Sequence, residues 1–386
     1  MNLMGTRLTH LAATMAGYLK TGIPLIEWDG SRLLLTNTGD DIGVYIIIPK
    51  LAYFFHLSLE RAITIFFSSL LILPMIISII FFCIAYKKIS QRIVSISCVI
   101  LLTRFAYAIG DVYLSFSAAA LILIPWSLII CELKSLKWSI FFGVFSGISV
   151  SFFHYIRSFS GVGALLCIFT FMMGSRTHSK MSKAYFVLAL AAGLFVPHLY
   201  FNAQYKKAKE YARAELGESC SIESNHVFWH PLYLGFGFLN FKNSKNIRYD
   251  DAVGLQTALA VNPNVVYCSK EYEEILKNEV LLIAKNDWVF LILTLFAKLG
   301  ILIFYLLKFA NIGLLAAFVC RKPWSIDGGF FLALCWNSIF SLLAIPLHEY
   351  ALGFISCATL WGIVSINNML SALPRFSFQQ KKCFNV

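Results

Sequence analysis

AITIFFSSLLILPMIISIIFFCIA, residues 62–85, carries no charged side chain and is followed at once by Tyr86, Lys87 and Lys88. A helix needs about 20 mostly apolar residues to cross a bilayer, because each backbone N–H and C=O must be satisfied within the segment itself. This stretch meets that requirement alone. Similar apolar runs recur at 93–109, 113–131, 138–154, 159–174, 184–202, 298–320, 328–346 and 349–368. Hydrophobic residues make up 59% of the chain and charged residues 13%, against about 25% charged in soluble domains. The chain therefore reads as an all-α polytopic membrane protein, a bundle of about nine to ten transmembrane helices.

The basic residues give the spans a direction. One set of gaps holds Lys87, Lys88 and Arg92; Lys134 and Lys137; Arg176, Lys180 and Lys183; Arg321 and Lys322; Arg375, Lys381 and Lys382. The alternate short gaps, near 110–112, 154–158 and 346–349, hold only Arg157. Lys and Arg collect in cytoplasmic loops, so the first set is expected in the cytoplasm and residues 1–61 and 203–287 outside. The formal charge of +12 then reports orientation, and no nucleic-acid partner is expected. The expected organisation is an outside segment (1–61), six spans (62–202), an outer subdomain with an interfacial helix at 288–297 (203–297), three spans (298–368) and a cytoplasmic tail (369–386). Residues 8–26 are interrupted by His10, Lys20 and Pro24, so either the first span carries 1–61 across or, the preferred expectation, a spanning helix precedes the given residues.

Candidate chemistry gathers in the outside segments. Asp40 and Asp41 precede an apolar run, 42–57, that is broken by Pro49 and Lys50. Paired Asp residues suit a turn and helix cap. They equally suit a general base, or a site that could hold a divalent metal on a lipid phosphate. Asp111 lies in the turn AIGDVY, where it could bind substrate. His154 and Arg157 belong to FHYIRSFSG. An arginine fork fits phosphate, although Arg157 could also snorkel to head groups; Arg104, inside a span, is a similar case. Trp229, His230, Tyr233, Tyr249, Asp250 and Asp251 combine aromatic and acidic groups, as sugar sites do, yet aromatics also form interfacial belts. His348 and Glu349 occupy the last outer turn. Cys220 and Cys268 share the outer subdomain, as a disulfide or as two free thiols. No P-loop, GxGxxG after a strand, HExxH or GxSxG occurs.

The acidic loop TGDD (residues 38–41), the surface run after it, the many spans and the late outer domain resemble the GT-C superfamily of membrane glycosyltransferases. That resemblance implies a polyprenyl-phosphate-linked sugar as donor and a lipid, glycan or protein acceptor. It implies transfer on the periplasmic face of a bacterial inner membrane. Asp40 or Asp41 would then be the base or metal-holding acid, with Arg157, His154 and Arg104 as candidates for the donor phosphate. No other cofactor is implied. A transporter or flippase of a polar lipid, or an envelope-polysaccharide polymerase or ligase, is the alternative.

Overall fold

The computed structural model describes residues 5–36, 41–217, 227–320 and 322–372. In chain order these form α1 (Gly5–Thr21), a hairpin of β1 (Ile26–Trp28) and β2 (Leu33–Leu35), α2 (Ile42–Phe54), α3 (Leu59–Ala85), α4 (Ile89–Ile109), α5 (Leu114–Glu132) and α6 (Leu136–Ile156). There follow α7 (Val162–Gly174), α8 (Lys180–Glu215), α9 (Trp229–Phe236), α10 (Asp251–Val261), α11 (Lys270–Asn286), α12 (Trp288–Ala310), α13 (Ile312–Val319), α14 (Trp324–Leu343) and α15 (Leu352–Ala372). Eight of these helices are long and apolar enough to cross a membrane: α3, α4, α5, α6, α8, α12, α14 and α15. Apart from the hairpin the described residues are all-α, and the chain is a multi-pass membrane protein. The turns 157–161 and 110–113 mark one end of the bundle, called here the loop end. The turns with Lys87, Lys88, Arg176 and Lys322 mark the other, the basic end.

One of the nine expected spans, 159–174, is too short: α7 has 13 residues. Its start lies within the bundle. A Cβ placed on Gly161 would come within 2.8 Å of the Val150 Cα, so after Arg157 the chain turns back inward by six residues' worth of α6, roughly 9 Å. Non-helical backbone at such depth survives only when buried in protein. Ser160 meets that condition: it is buried, and its hydroxyl donates to the Phe153 carbonyl at 2.6 Å.

The expected interfacial helix at 288–297 and span at 298–320 are also corrected. Residues 288–310 form one helix, and the break falls at Asn311, whose backbone is left-handed at φ 44°. Lys298, which looked like a water boundary, is fully buried. Its Nζ donates to the carbonyls of Leu342 (3.1 Å) and Ala344 (2.6 Å) at the end of α14. A cation can replace a boundary there because the last carbonyls of a helix carry partial negative charge and lack intrahelical partners. Nothing else in 288–310 interrupts a helix.

The boundary expected at 203 is no break either. α8 continues from its apolar half through the charged run to Glu215, 36 residues in all. At about 1.5 Å per residue it is near 54 Å long, against about 30 Å of hydrocarbon. Beyond it, α9, α10 and α11 pack around a core of their own that includes Tyr233, Tyr272, Leu276 and Phe290. Glu273 accepts the backbone N–H groups of Phe228, Trp229 and His230 at 2.7, 2.8 and 3.1 Å, which fixes the start of α9.

Within the bundle, α6 and α8 meet backbone to backbone. A methyl on Gly147 would run into the Leu190 carbonyl, and one on Gly193 into that of Val144. Small residues permit such close approach, and dispersion along it drives helix association in lipid. Gly147→Val is therefore expected to destabilise the protein by about 1–3 kcal/mol. Gly300→Ala on α12, with open space around it, should leave stability unchanged or slightly raised. Thermal unfolding in detergent reads both, and equal midpoints for the two variants would remove the close-packing account.

Candidate functional site

The N-terminal helix α1 crosses the loop end and presents Arg7 to two acids far away in sequence. Arg7 Nε donates to Asp41 Oδ2 at 2.6 Å, and a terminal guanidinium nitrogen donates to Asp111 Oδ2 at 2.5 Å. The side chains of Asp41 and Asp111 are 8% and 4% exposed, that of Arg7 20%, so the triad is largely shielded from water. Burial alone would lower the Arg7 pKa; Asp41 and Asp111 outweigh it, and the net shift is upward. Asp41 stands at the start of α2, but its side chain does not cap that helix. It turns to Arg7 instead. Asp111 serves two masters: Oδ1 accepts the Val112 N–H at 2.7 Å within its own turn, while Oδ2 meets Arg7.

A second layer adjoins this triad. The Arg157 guanidinium lies 5.1 Å from the Tyr113 ring centre, close enough to Arg7 for the two cations to repel. Tyr113 packs on Tyr350 with ring centres 5.0 Å apart. The Tyr249 hydroxyl of the subdomain meets that of Tyr350, and burial first, then Tyr350, Asp251 and Glu349, raise the Tyr249 pKa. Five segments and the subdomain thus contribute to one polar cluster: Arg7, Asp41, Asp111, Arg157, three tyrosines and, nearby, Glu349. Arg157 is held there by Tyr113, through the ring contact and through a terminal guanidinium nitrogen that donates to the Tyr113 hydroxyl at 3.5 Å.

Other residues singled out in the sequence stand elsewhere. Asp40 and Cys220 lie outside the described residues. Arg104 is exposed on α4, over the Tyr107 ring at 5.9 Å, apart from the cluster. His154 accepts the Phe159 N–H through Nδ1 at 3.0 Å; it shapes the turn that carries Arg157. His348 sits between the rings of Phe105 and Tyr305, centres 5.2 and 5.3 Å away. In the subdomain, Tyr233 is a buried core residue whose hydroxyl lies 3.2 Å from Thr257 Oγ1. Asp250 caps α10 by accepting the Ala252 N–H at 2.9 Å, and Trp229 packs against the subdomain core. His230 forms a separate knot, with Nδ1 2.7 Å from the Tyr272 hydroxyl and Nε2 3.2 Å from Asp251 Oδ1. Cys268 is a free thiol, its pKa raised by burial.

Three members of the cluster escaped the sequence: Arg7, Tyr113 and Tyr350. Arg7 carries no local signal, since its partners are 34 and 104 residues away. Tyr113 and Tyr350 border turns already marked by Asp111 and Glu349, and that adjacency was the available clue. Among the described residues no group of three or more His, Cys, Asp or Glu side chains could hold a metal ion. No family model matches the chain, and neither the curated proteins nor the solved structures offer a match.

Arg7→Gln leaves two shielded carboxylates without their cation, a loss on the order of 3 kcal/mol. Arg7→Lys keeps the charge but not the fork and should fall between the variant and the parent. Unfolding midpoints of purified protein in detergent measure this; a parental midpoint for Arg7→Gln would mean that the triad does not hold the loop end together.

Proposed function

We propose that this protein is a membrane glycosyltransferase that moves a sugar from a polyprenyl-phosphate donor to an envelope lipid, glycan or protein acceptor on the outer face. The observation that carries the proposal is the meeting of Asp41, Asp111 and Arg157 at the end of the bundle away from the basic turns. By the distribution of Lys and Arg, that end faces outward.

The chemistry asks for three things. The lipid tail of the donor lies along apolar helix faces in the bilayer. Its phosphate, the leaving group, needs a cation where charge develops as the glycosidic bond breaks, and Arg157, whose guanidinium suits phosphate, stands beside the triad, over the Tyr113 ring. The acceptor hydroxyl needs a carboxylate to take its proton as it attacks the anomeric carbon. Asp41 is positioned for this by Arg7, and Asp40 precedes it in the chain. The subdomain reaches the same cluster through Tyr249, where it could select the acceptor.

One observation favours a second function, transport of a polar lipid. A cavity of about 960 Å³ opens at the basic end, while Arg7 bridges Asp41 and Asp111 at the loop end. Open at one end and bridged at the other is one half of an alternating-access cycle.

Transfer assayed with a short polyprenyl-phosphate sugar in detergent, where no second compartment exists, separates the two. The transferase should turn over there. Asp41→Asn or Asp40→Asn should lower turnover by about 10²–10⁴, the usual contribution of a general base, with the variant still monodisperse. Parental turnover in both single variants and in the double would sink the transferase proposal.

A further inference from the structure

The cavity at the basic end lies on the opposite side of the bundle from the cluster proposed for transfer. Its walls come from the α3–α4 turn, the ends of α5, α7 and α15, and the start of α14. At about 960 Å³ it is at the upper end of the range of roughly 300–1,000 Å³ typical of small-molecule sites. Leu128, Phe171 and Val364 line its apolar part. Four cations line it as well, from three separate turns: Lys87, Lys88, Arg176 and Lys322.

These cations divide into two kinds. Lys88 and Lys322 are already engaged. Lys88 Nζ donates to the Leu370 carbonyl at 2.6 Å. Lys322 Nζ, on a side chain 1% exposed, meets Asp327 at 2.9 Å and Ser365 Oγ at 2.6 Å. Lys87 and Arg176 are exposed and make no hydrogen bond or ion pair among the described residues. Glu132 is the opposing acid in the wall, so the lining keeps a positive surplus even after Asp327 is set against Lys322.

Membrane orientation alone asks that Lys and Arg lie on one side. It does not ask them to surround one hollow with an apolar floor. A simple anion such as chloride would leave most of the volume unfilled, as a water molecule's share of liquid is only about 30 Å³. A ligand that fits both features has an anionic head and an organic remainder. Lys and Arg together suit phosphate, the Arg by its fork and the Lys as a point charge, and basic pockets between transmembrane helices take lipid head groups.

We propose that this cavity binds a phosphate ester, with Lys87 and Arg176 contacting the phosphate and the apolar floor contacting the organic part. The site is distinct from the transfer cluster and does not depend on the transferase function. Two sources share this chemistry, a lipid head group and a soluble phosphate ester.

The test uses the full chain in a non-ionic detergent and calorimetric titration with two probes, dihexanoyl phosphatidylglycerol and glycerol 3-phosphate. Saturable binding of the lipid alone assigns a head group; equal binding of both assigns a soluble ester. Lys87→Gln/Arg176→Gln should weaken binding about tenfold or more, the scale of one lost charge-assisted contact. Lys206→Gln/Lys207→Gln, which removes the same charge from exposed positions on α8, should leave binding unchanged. A second readout needs no variant: inorganic phosphate should displace the bound probe from the parent protein, and sodium chloride of equal ionic strength should not. No saturable binding of either probe, or equal weakening in both double variants, overturns the proposal. Asp41→Asn is expected to bind both probes as the parent does, so failure of the transferase proposal leaves this one standing.

Discussion

One guanidinium organises the loop end of this protein. Arg7 reaches Asp41 and Asp111 at once, which ties the N-terminal helix to the head of α2 and to the α4–α5 turn. Each of those segments alone would leave a charge in a place shielded from water. Together they form a closed set in which burial costs are offset by two short contacts. Because a shielded charge without a partner is strongly unfavourable, the three segments can only be placed jointly. The second layer of Arg157, Tyr113, Tyr350 and Tyr249 is built against that set, so the geometry of the candidate site follows from it.

The two ends of the molecule treat charge differently. At the loop end opposite charges meet one another and the polar cluster is nearly self-satisfied. At the basic end the cations outnumber the acids and two of them face open space. Between them runs a bundle in which polar side chains turn to backbone carbonyls, as the hydroxyls of Ser95, Thr103 and Ser127 do. The division separates a charge-paired end from one with a surplus of cations.

Much of the fold could be read directly from the apolar runs. Residues 62–85 lacked any alternative to a spanning helix, and α3 contains them all. The errors arose where length and charge were taken as independent. Residues 159–174 have the composition of a span, but the preceding turn dips inward, so a shorter helix suffices. Lys298 has the look of a membrane boundary, yet its ammonium is satisfied by carbonyls that belong to another helix and cannot be seen from its own neighbourhood. The site was legible in part for the same reason. Asp41, Asp111 and Arg157 stand out because each sits between helices at the loop end. Arg7 has no such mark, because what distinguishes it is a meeting across long stretches of chain. In the subdomain, composition suggested a sugar site, and packing assigned Tyr233 to the core and Asp250 to a helix cap.

The buried Lys298 has a mechanical consequence. Its ammonium is seated on two carbonyls at the tip of α14, and α12 carries it on a rigid rod. Were α12 to slide past α14 by a single helical turn, about 5.4 Å, the ammonium would leave its seat and lose both carbonyls. The pair is thus indexed like a key in a notch: shearing between these two helices costs a buried ammonium both of its partners, so a sliding surface elsewhere in the bundle costs less.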